Sequence, residues 1–134
     1  MAVDRDAAIG VLDLTRGEIK RIDIGHAPRA IHDTVGLTEG AARQKCLAVD
    51  VHANDLLDWF SAKTYAETVA WSKVIVDQST DHILGAHFVG HAGQELVNIF
   101  GLAMRFGITA SQIRENIYAY PTFSSDIKHM LGHG

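Results

Sequence analysis

Directly behind the apolar run Ile83 to Val89 the chain carries GQELVNIFGLAMRF, residues 93–106, in which Leu96, Val97, Phe100, Ala103 and Met104 recur at three- and four-residue spacings. That period predicts a helix. Ile99, Leu102 and Phe106 widen its apolar arc well beyond the roughly 100° stripe of an ordinary surface helix. A helix apolar over so much of its circumference needs cover on two sides, from its own domain on both or from a second subunit on one. Gly107 supplies the glycine that ends such a helix in a left-handed cap.

What precedes this helix reads as a hairpin. Val74, Ile75 and Val76 close one β-branched run, Asp77 to Asp81 supplies turn chemistry, and Ile83 to Val89 makes the second run with Leu84, Ala86 and Phe88 on one face. Upstream, CLAVDVHA is a strand candidate, since Leu47, Val49 and Val51 alternate with Ala48, Asp50 and His52. VGLTEGAARQK reads as a strand end and then a short helix, with Thr38 as N-cap, Glu39 in the first turn and Gly40 weakening it. NDLLDWFSAKTY carries bulky apolar residues without a period and reads as a surface loop folded over the body. Residues 1–28 hold two short strand candidates, AAIGVLDL and GEIKRIDIG, with Thr15-Arg16-Gly17 as the turn between them.

Downstream, Thr109-Ala110-Ser111-Gln112 has the spacing of a capping box and starts a helix to about Asn116. Proline disfavours helical geometry in its predecessor, so Tyr120-Pro121 breaks the helical run. Thr122 to Asp126 offers N-caps for a last helix through Leu131, stopped by Gly132.

Composition narrows the functions. With 134 residues and 47% hydrophobic content, one domain can bury roughly two-thirds of its unfolded surface. The formal net charge of -4 leaves no basic surplus for a polyanion, so nucleic acid is not an expected partner. One cysteine, Cys46, allows neither an intrachain disulfide nor a dithiol pair, and reads as a small buried or half-buried side chain. The N-terminus, with Asp4 and Asp6 and no apolar core, does not read as a secretory signal, and no run approaches the roughly 18 apolar residues of a membrane span. A cytoplasmic protein without a membrane partner is expected.

No motif by itself announces chemistry. His87 and His91 are four apart at a strand end, where that spacing does not converge on one ion, and His129 and His133 flank Gly132, so no metal site is expected and the histidines read as exposed or hydrogen-bonded. Gly90 and Gly93 precede a helix without forming a phosphate-loop pattern, and a strand-to-helix turn accounts for them. Ser124, Ser125 and Asp126 lack a nucleophile elbow around them and read as caps.

Taken in order, VGLTEGAAR, then SKVIVDQSTDHILGAHFVGHAGQELVNIFGLAMRFGITASQI, then YAYPTFSSD resembles the C-terminal dimerisation domain of the FAD-dependent pyridine nucleotide-disulfide oxidoreductases, the glutathione reductase and dihydrolipoamide dehydrogenase family. The resemblance covers about residues 30–132. It divides the chain into an N-terminal arm or junction, 1–28, and a dimerisation domain, 29–134. It implies an α+β fold of two layers, an antiparallel sheet with helices packed on one face, assembled as a homodimer. Phe100, Ala103 and Met104 on the long helix are then the candidates for the subunit contact.

The same resemblance implies that the segment ending in Pro121 reaches the partner subunit's flavin, so Tyr120 and Pro121 are the cofactor-binding candidates. Family members carry a histidine directly before that proline, as acid and base toward a redox-active cysteine pair, and a glutamate five residues after the histidine. Those places hold Tyr120 and Ser125 here, with Asp126 next, and Tyr120, Ser125 and Asp126 are the catalytic candidates. An imidazole titrates at about pH 6.5 and a phenol at about pH 10, so Tyr120 would donate a hydrogen bond where relatives have a base. Mercuric reductases and certain bacterial glutathione-reductase-like flavoproteins are similar in lacking the histidine. FAD and NAD(P)H belong to the parent enzyme. This chain has neither the dinucleotide fingerprint nor the paired cysteines, and alone is expected to bind neither cofactor tightly and to be inactive. Its partners would be a second copy and the FAD/NAD(P)-binding portion of the same enzyme. The alternatives are a stand-alone dimeric binding module that reuses the fold, and a stand-alone enzyme using Tyr120 and Asp126.

Overall fold

The computed structural model describes residues 9–13, 18–22 and 32–132, with side chains from residue 33 onward. Its centre is a four-stranded antiparallel sheet in the order β3-β6-β5-β4, formed by β3 (His32–Gly36), β4 (Val49–Asp55), β5 (Trp71–Asp77) and β6 (Ile83–Val89). A separate antiparallel pair, β1 (Ile9–Asp13) with β2 (Glu18–Ile22), precedes it, as the two N-terminal strand candidates anticipate. The Thr15-Arg16-Gly17 turn between them and the proposed boundary at residue 28 lie outside the described residues.

Alternation decides which side of the sheet is covered. Val35 of β3, Ser72, Val74 and Val76 of β5, and Ala86 and Phe88 of β6 are buried beneath α3 (Gly93–Phe106), α4 (Ala110–Glu115) and α5 (Phe123–Met130). Phe88 meets Phe100 of α3 with ring centroids 5.6 Å apart, and Leu96, Ala103, Ile113, Ile127 and Met130 complete the core. The register shifts between Ile75 and Val76, because Val74 pairs with Ala86 and Ile75 with Gly85, but Val76 pairs with Ile83. Leu84 is the extra residue of this bulge. Ile83 is therefore buried and Leu84 only half-buried, which corrects the expected face of Leu84, Ala86 and Phe88.

The opposite side is lightly dressed. The short helix α1 (Glu39–Gln44) reaches it, capped by Thr38 as expected, and Glu39 accepts hydrogen bonds from Lys73 of β5 at 3.1 Å and from Arg43. The link from β3 to α1 lies directly on β6: Leu37 donates its N–H to the Leu84 carbonyl at 2.8 Å, and a Cβ on Gly85 would collide with the Leu37 carbonyl. Only glycine permits that approach. Cys46, just past α1 at a positive φ of 56°, is exposed rather than buried, since the helix ends before it can turn inward.

The loop expected over residues 54–65 contains a short helix, α2 (Phe60–Thr64), without a side-chain cap. It does fold over the body: Leu56 is fully buried and Trp59 packs on the core. α3 begins and ends where its periodicity predicts, with Gly107 at φ 67° closing it, and Thr109–Gln112 and Thr122–Ser125 both form capping boxes. Around α3, however, Phe100 and Ala103 face the chain's own sheet and Met104 is half-buried. Those positions were the candidates for a subunit contact, and the chain itself covers the first two. The apolar side chains that α3 leaves outside are Leu102, 56% exposed, and Phe106, 68% exposed.

Truncating the side chain at the centre of this core leaves a cavity that rigid secondary structure cannot fill. Phe100→Ala is expected to lower unfolding free energy by about 3–5 kcal/mol, measured by urea denaturation of the purified chain.

Candidate functional site

Between β6 and α3 the backbone turns through Gly90, His91 and Ala92, with φ of 66°, 55° and 52°. Glycine adopts this left-handed region freely, histidine tolerates it, and alanine rarely enters it. The turn is closed by a hydrogen bond from the Gly93 N–H to the Gly90 carbonyl at 2.9 Å. Its effect is to send the His91 side chain inward, where it is completely buried.

The imidazole sits between two carboxylates. Nδ1 is 2.9 Å from Oε2 of Glu67, Nε2 is 2.8 Å from Oδ2 of Asp126, and the His91 backbone N–H donates to Oε1 of Glu67 at 2.6 Å. Glu67 follows α2, and Asp126 lies in the first turn of α5, where the helix dipole favours an acid. Two rings meet the imidazole edge to face: Phe123, with centroids 4.8 Å apart, and Trp59, at 6.3 Å.

This geometry favours the charged form of the ring. A neutral imidazole has one N–H, so between two ionised carboxylates it would present a lone pair to one of them, whereas the imidazolium donates to both. Burial works against the charge, but the hydrogen bonds to Asp126 and Glu67 and their charges outweigh it, and the His91 pKa is raised. With both ring nitrogens engaged, His91 has no lone pair for a metal. His87, burial of which lowers its pKa, places Nε2 3.0 Å from the Leu37 carbonyl, on the opposite side of the sheet. Among the described residues no group of three His, Cys, Asp or Glu side chains is arranged to hold an ion.

The residues marked in the sequence near Pro121 separate into different roles. Tyr120 points outward and is 75% exposed, next to Phe60 of α2 at 6.2 Å between ring centroids, and the Tyr120–Pro121 peptide bond is cis. Ser125 is buried in the capping box: its Oγ accepts from the Thr122 N–H at 3.2 Å and donates to the Thr122 carbonyl at 2.6 Å, while Thr122 Oγ1 accepts from the Ser125 N–H. Asp126 is the partner of His91. The structure thus brings Asp126 to His91, which the sequence marks only as an exposed or hydrogen-bonded histidine, and leaves Tyr120 at the surface. Glu67 carried no signal at all, because it lies 24 residues from His91 and Asp126 lies 35 away, so no local spacing links them.

An antiparallel sheet with helices on its main face, a long apolar helix after the last strand and a proline turn before the final helix make an α+β domain. The chain belongs to the pyridine nucleotide-disulphide oxidoreductase dimerisation domain family, whose profile matches residues 33–131. It is 35% identical over 131 residues to an uncharacterized 19.7 kDa protein in the mercuric resistance operon of Staphylococcus aureus, covering 94% of this chain and 73% of that one. It is 34% identical over 95 residues to dihydrolipoyl dehydrogenase of Chlorobaculum tepidum, covering 71% of this chain and 20% of that enzyme. In structure it is similar to RclA, an HOCl-induced flavoprotein disulfide reductase of Escherichia coli, with a TM-score of 0.72 and 25% identity over 78% of this chain and 25% of RclA. The chain therefore spans about a fifth of the dihydrolipoyl dehydrogenase and a quarter of RclA.

Because the His91 pKa is raised in the fold, the stabilisation from its charged form is complete below the unfolded histidine value of about 6.5 and is lost as pH rises through the folded value. Urea midpoints are expected to fall across that interval and then level off. His91→Gln, which cannot titrate there, is expected to flatten this slope.

Proposed function

We propose that this chain is the dimerisation domain of an FAD-dependent NAD(P)H oxidoreductase of the disulfide reductase class, working as a homodimer in which Tyr120 and Pro121 face the partner subunit's flavin. The observation that carries the reading is the Tyr120–Pro121 turn itself, exposed at its tip and tied down on its inner side by the Thr122–Ser125 capping box and by Asp126. A turn held in this way presents a side chain outward without needing contacts of its own.

In this reading Tyr120 stands where relatives carry a catalytic histidine, and its phenol donates a hydrogen bond rather than accepting a thiol proton at neutral pH. Ser125 and Asp126 act from below, starting α5 and fixing the turn. The described residues do not suit an FAD site within one copy: the main sheet is wholly antiparallel and offers no parallel strand-to-helix turn for a pyrophosphate. Flavin, when bound, would supply electron transfer from parts of the enzyme beyond this domain, and Tyr120 and Pro121 would contribute one edge of its surroundings. No helix among the described residues is long and apolar enough to cross a membrane, and a single exposed cysteine suits a reducing compartment such as the cytoplasm.

A second reading, a stand-alone dimeric module that reuses the fold, draws on the staphylococcal relative, a small protein of which this chain covers 73%. The two differ in gene structure: a reading frame for FAD and NAD(P) domains joined to this one is expected only under the first. Both require self-association. Sedimentation equilibrium should show a dimer, and Leu102→Glu with Phe106→Glu, both on the outer side of α3, should weaken it roughly thirtyfold or more. A wild-type chain that stays monomeric at high micromolar concentration would overturn both readings.

A further inference from the structure

We propose that His91 is a positioning residue that clasps the segment after α2 to the start of α5, so that Phe60 and Tyr120 form one aromatic ledge, and that loss of its proton releases the α5 side. The inference rests on the reading of Tyr120 as the presented residue, but the clasp belongs to a single chain and is tested within one.

The two elements joined by His91 are those that carry the exposed rings. Glu67 donates its backbone N–H to the Ala62 carbonyl at 3.0 Å, which ties it to α2, and Phe60 at the start of α2 is 58% exposed. Asp126 follows the Tyr120–Pro121 turn by little more than one helical turn. Between them the rings form two groups: Phe60 beside Tyr120 at 6.2 Å, and, separately, Tyr65 stacked on Phe123 at 4.9 Å with Phe123 edge-on to His91 at 4.8 Å. The ledge at the surface and the ion pairs beneath it therefore share α2 and α5 as their supports.

The proton matters unequally to the two carboxylates. Glu67 accepts from the His91 backbone N–H as well as from Nδ1, and the backbone bond survives whatever the ring's charge. Asp126 is held to His91 through Nε2. A neutral imidazole that keeps Nδ1–H toward Glu67 turns its Nε2 lone pair on Asp126, and a buried carboxylate facing a lone pair at 2.8 Å repels it. The start of α5 moves first, and Tyr120 moves with it.

Charges around the ring reinforce this. Glu67 faces it from the segment after α2 and Asp126 from α5, Asp33 of β3 lies with a carboxylate oxygen against Gly93, and His129 of α5 meets Trp59 edge to face at 6.2 Å. The two charges that act on the ring, those of Glu67 and Asp126, are both acidic. Solvent reaches the cluster from the Glu67 side, where the carboxylate is 17% exposed and lines a groove of about 420 Å³ with Gly90, Ala92 and Gln94.

The test follows the His91 ring by NMR while exchange of the hydrogen-bonded Thr122 and Ser125 amides and of the α5 amides is measured from about pH 6 to about pH 9, corrected for intrinsic rates. Protection of these amides should fall roughly tenfold or more as His91 titrates, as expected when a hydrogen bond to a charged group is lost, while α3 keeps its protection. Asp126→Asn supplies a side chain whose N–H can donate to a neutral Nε2, so this variant should hold the segment at the high pH where the wild type loosens. Protection that ignores the His91 titration in the wild type, or that falls in Asp126→Asn in step with the wild type, would sink the clasp. Sedimentation of the same samples separates the two ideas: a monomer with a titrating segment rejects the dimer reading alone, and a dimer with an indifferent segment rejects the clasp alone.

Discussion

Everything distinctive in this domain depends on how the chain leaves β6. Three successive left-handed residues, Gly90, His91 and Ala92, redirect a central strand into α3 so that the helix lies back across the sheet. Left-handed geometry in a non-glycine residue costs roughly 1–3 kcal/mol and persists only when surroundings over-determine it. Here the surroundings are visible: Glu67 grips both the backbone N–H and the ring of His91, and Asp126 completes the grip from α5. A buried charge set between two opposite ones is costly to desolvate and strongly destabilising to break singly. Its value lies in fixing where three elements meet, more than in net stability.

The molecule is accordingly two-sided in what it exposes. At one place α3 turns Leu102 and Phe106 outward although Phe100 and Ala103, on its inner side, are buried in the core. At another, Phe60 and Tyr120 stand out from α2 and from the turn before α5. Large exposed apolar side chains are ordinary singly and informative when grouped by structure. In a dimerisation domain, exposed apolar side chains on the long helix suit contact with an identical neighbour.

Much of the fold is legible in the residues because it is encoded locally. The 3.6-residue period of 93–106, the glycine at 107, the capping spacings at Thr109 and Thr122 and the β-branched runs on either side of Asp77–Asp81 each specify an element from within a few residues. The bulge at Leu84 escapes such a reading, since a single inserted residue leaves the run's composition unchanged and appears only in the pairing with β5. α2 escapes it too, being five residues without a cap. The site was half legible. Asp126 and Ser125 could be marked because they adjoin a proline turn of recognisable order, but their tasks could not, and His91 and Glu67 were invisible because their partnership is made by chain reversal. The interface candidates show the same limit: an apolar helix reveals that it is covered, and only the packed sheet reveals which of its side chains the chain covers by itself.

The Tyr120–Pro121 turn separates what holds it from what it shows. Thr122 and Ser125 cap each other and the buried Asp126 holds His91, and the tip contributes almost nothing to that framework. A residue so placed is free to vary without endangering the fold. The side chain at the tip can then be exchanged for an acid, a base or a neutral donor while the domain keeps its own architecture.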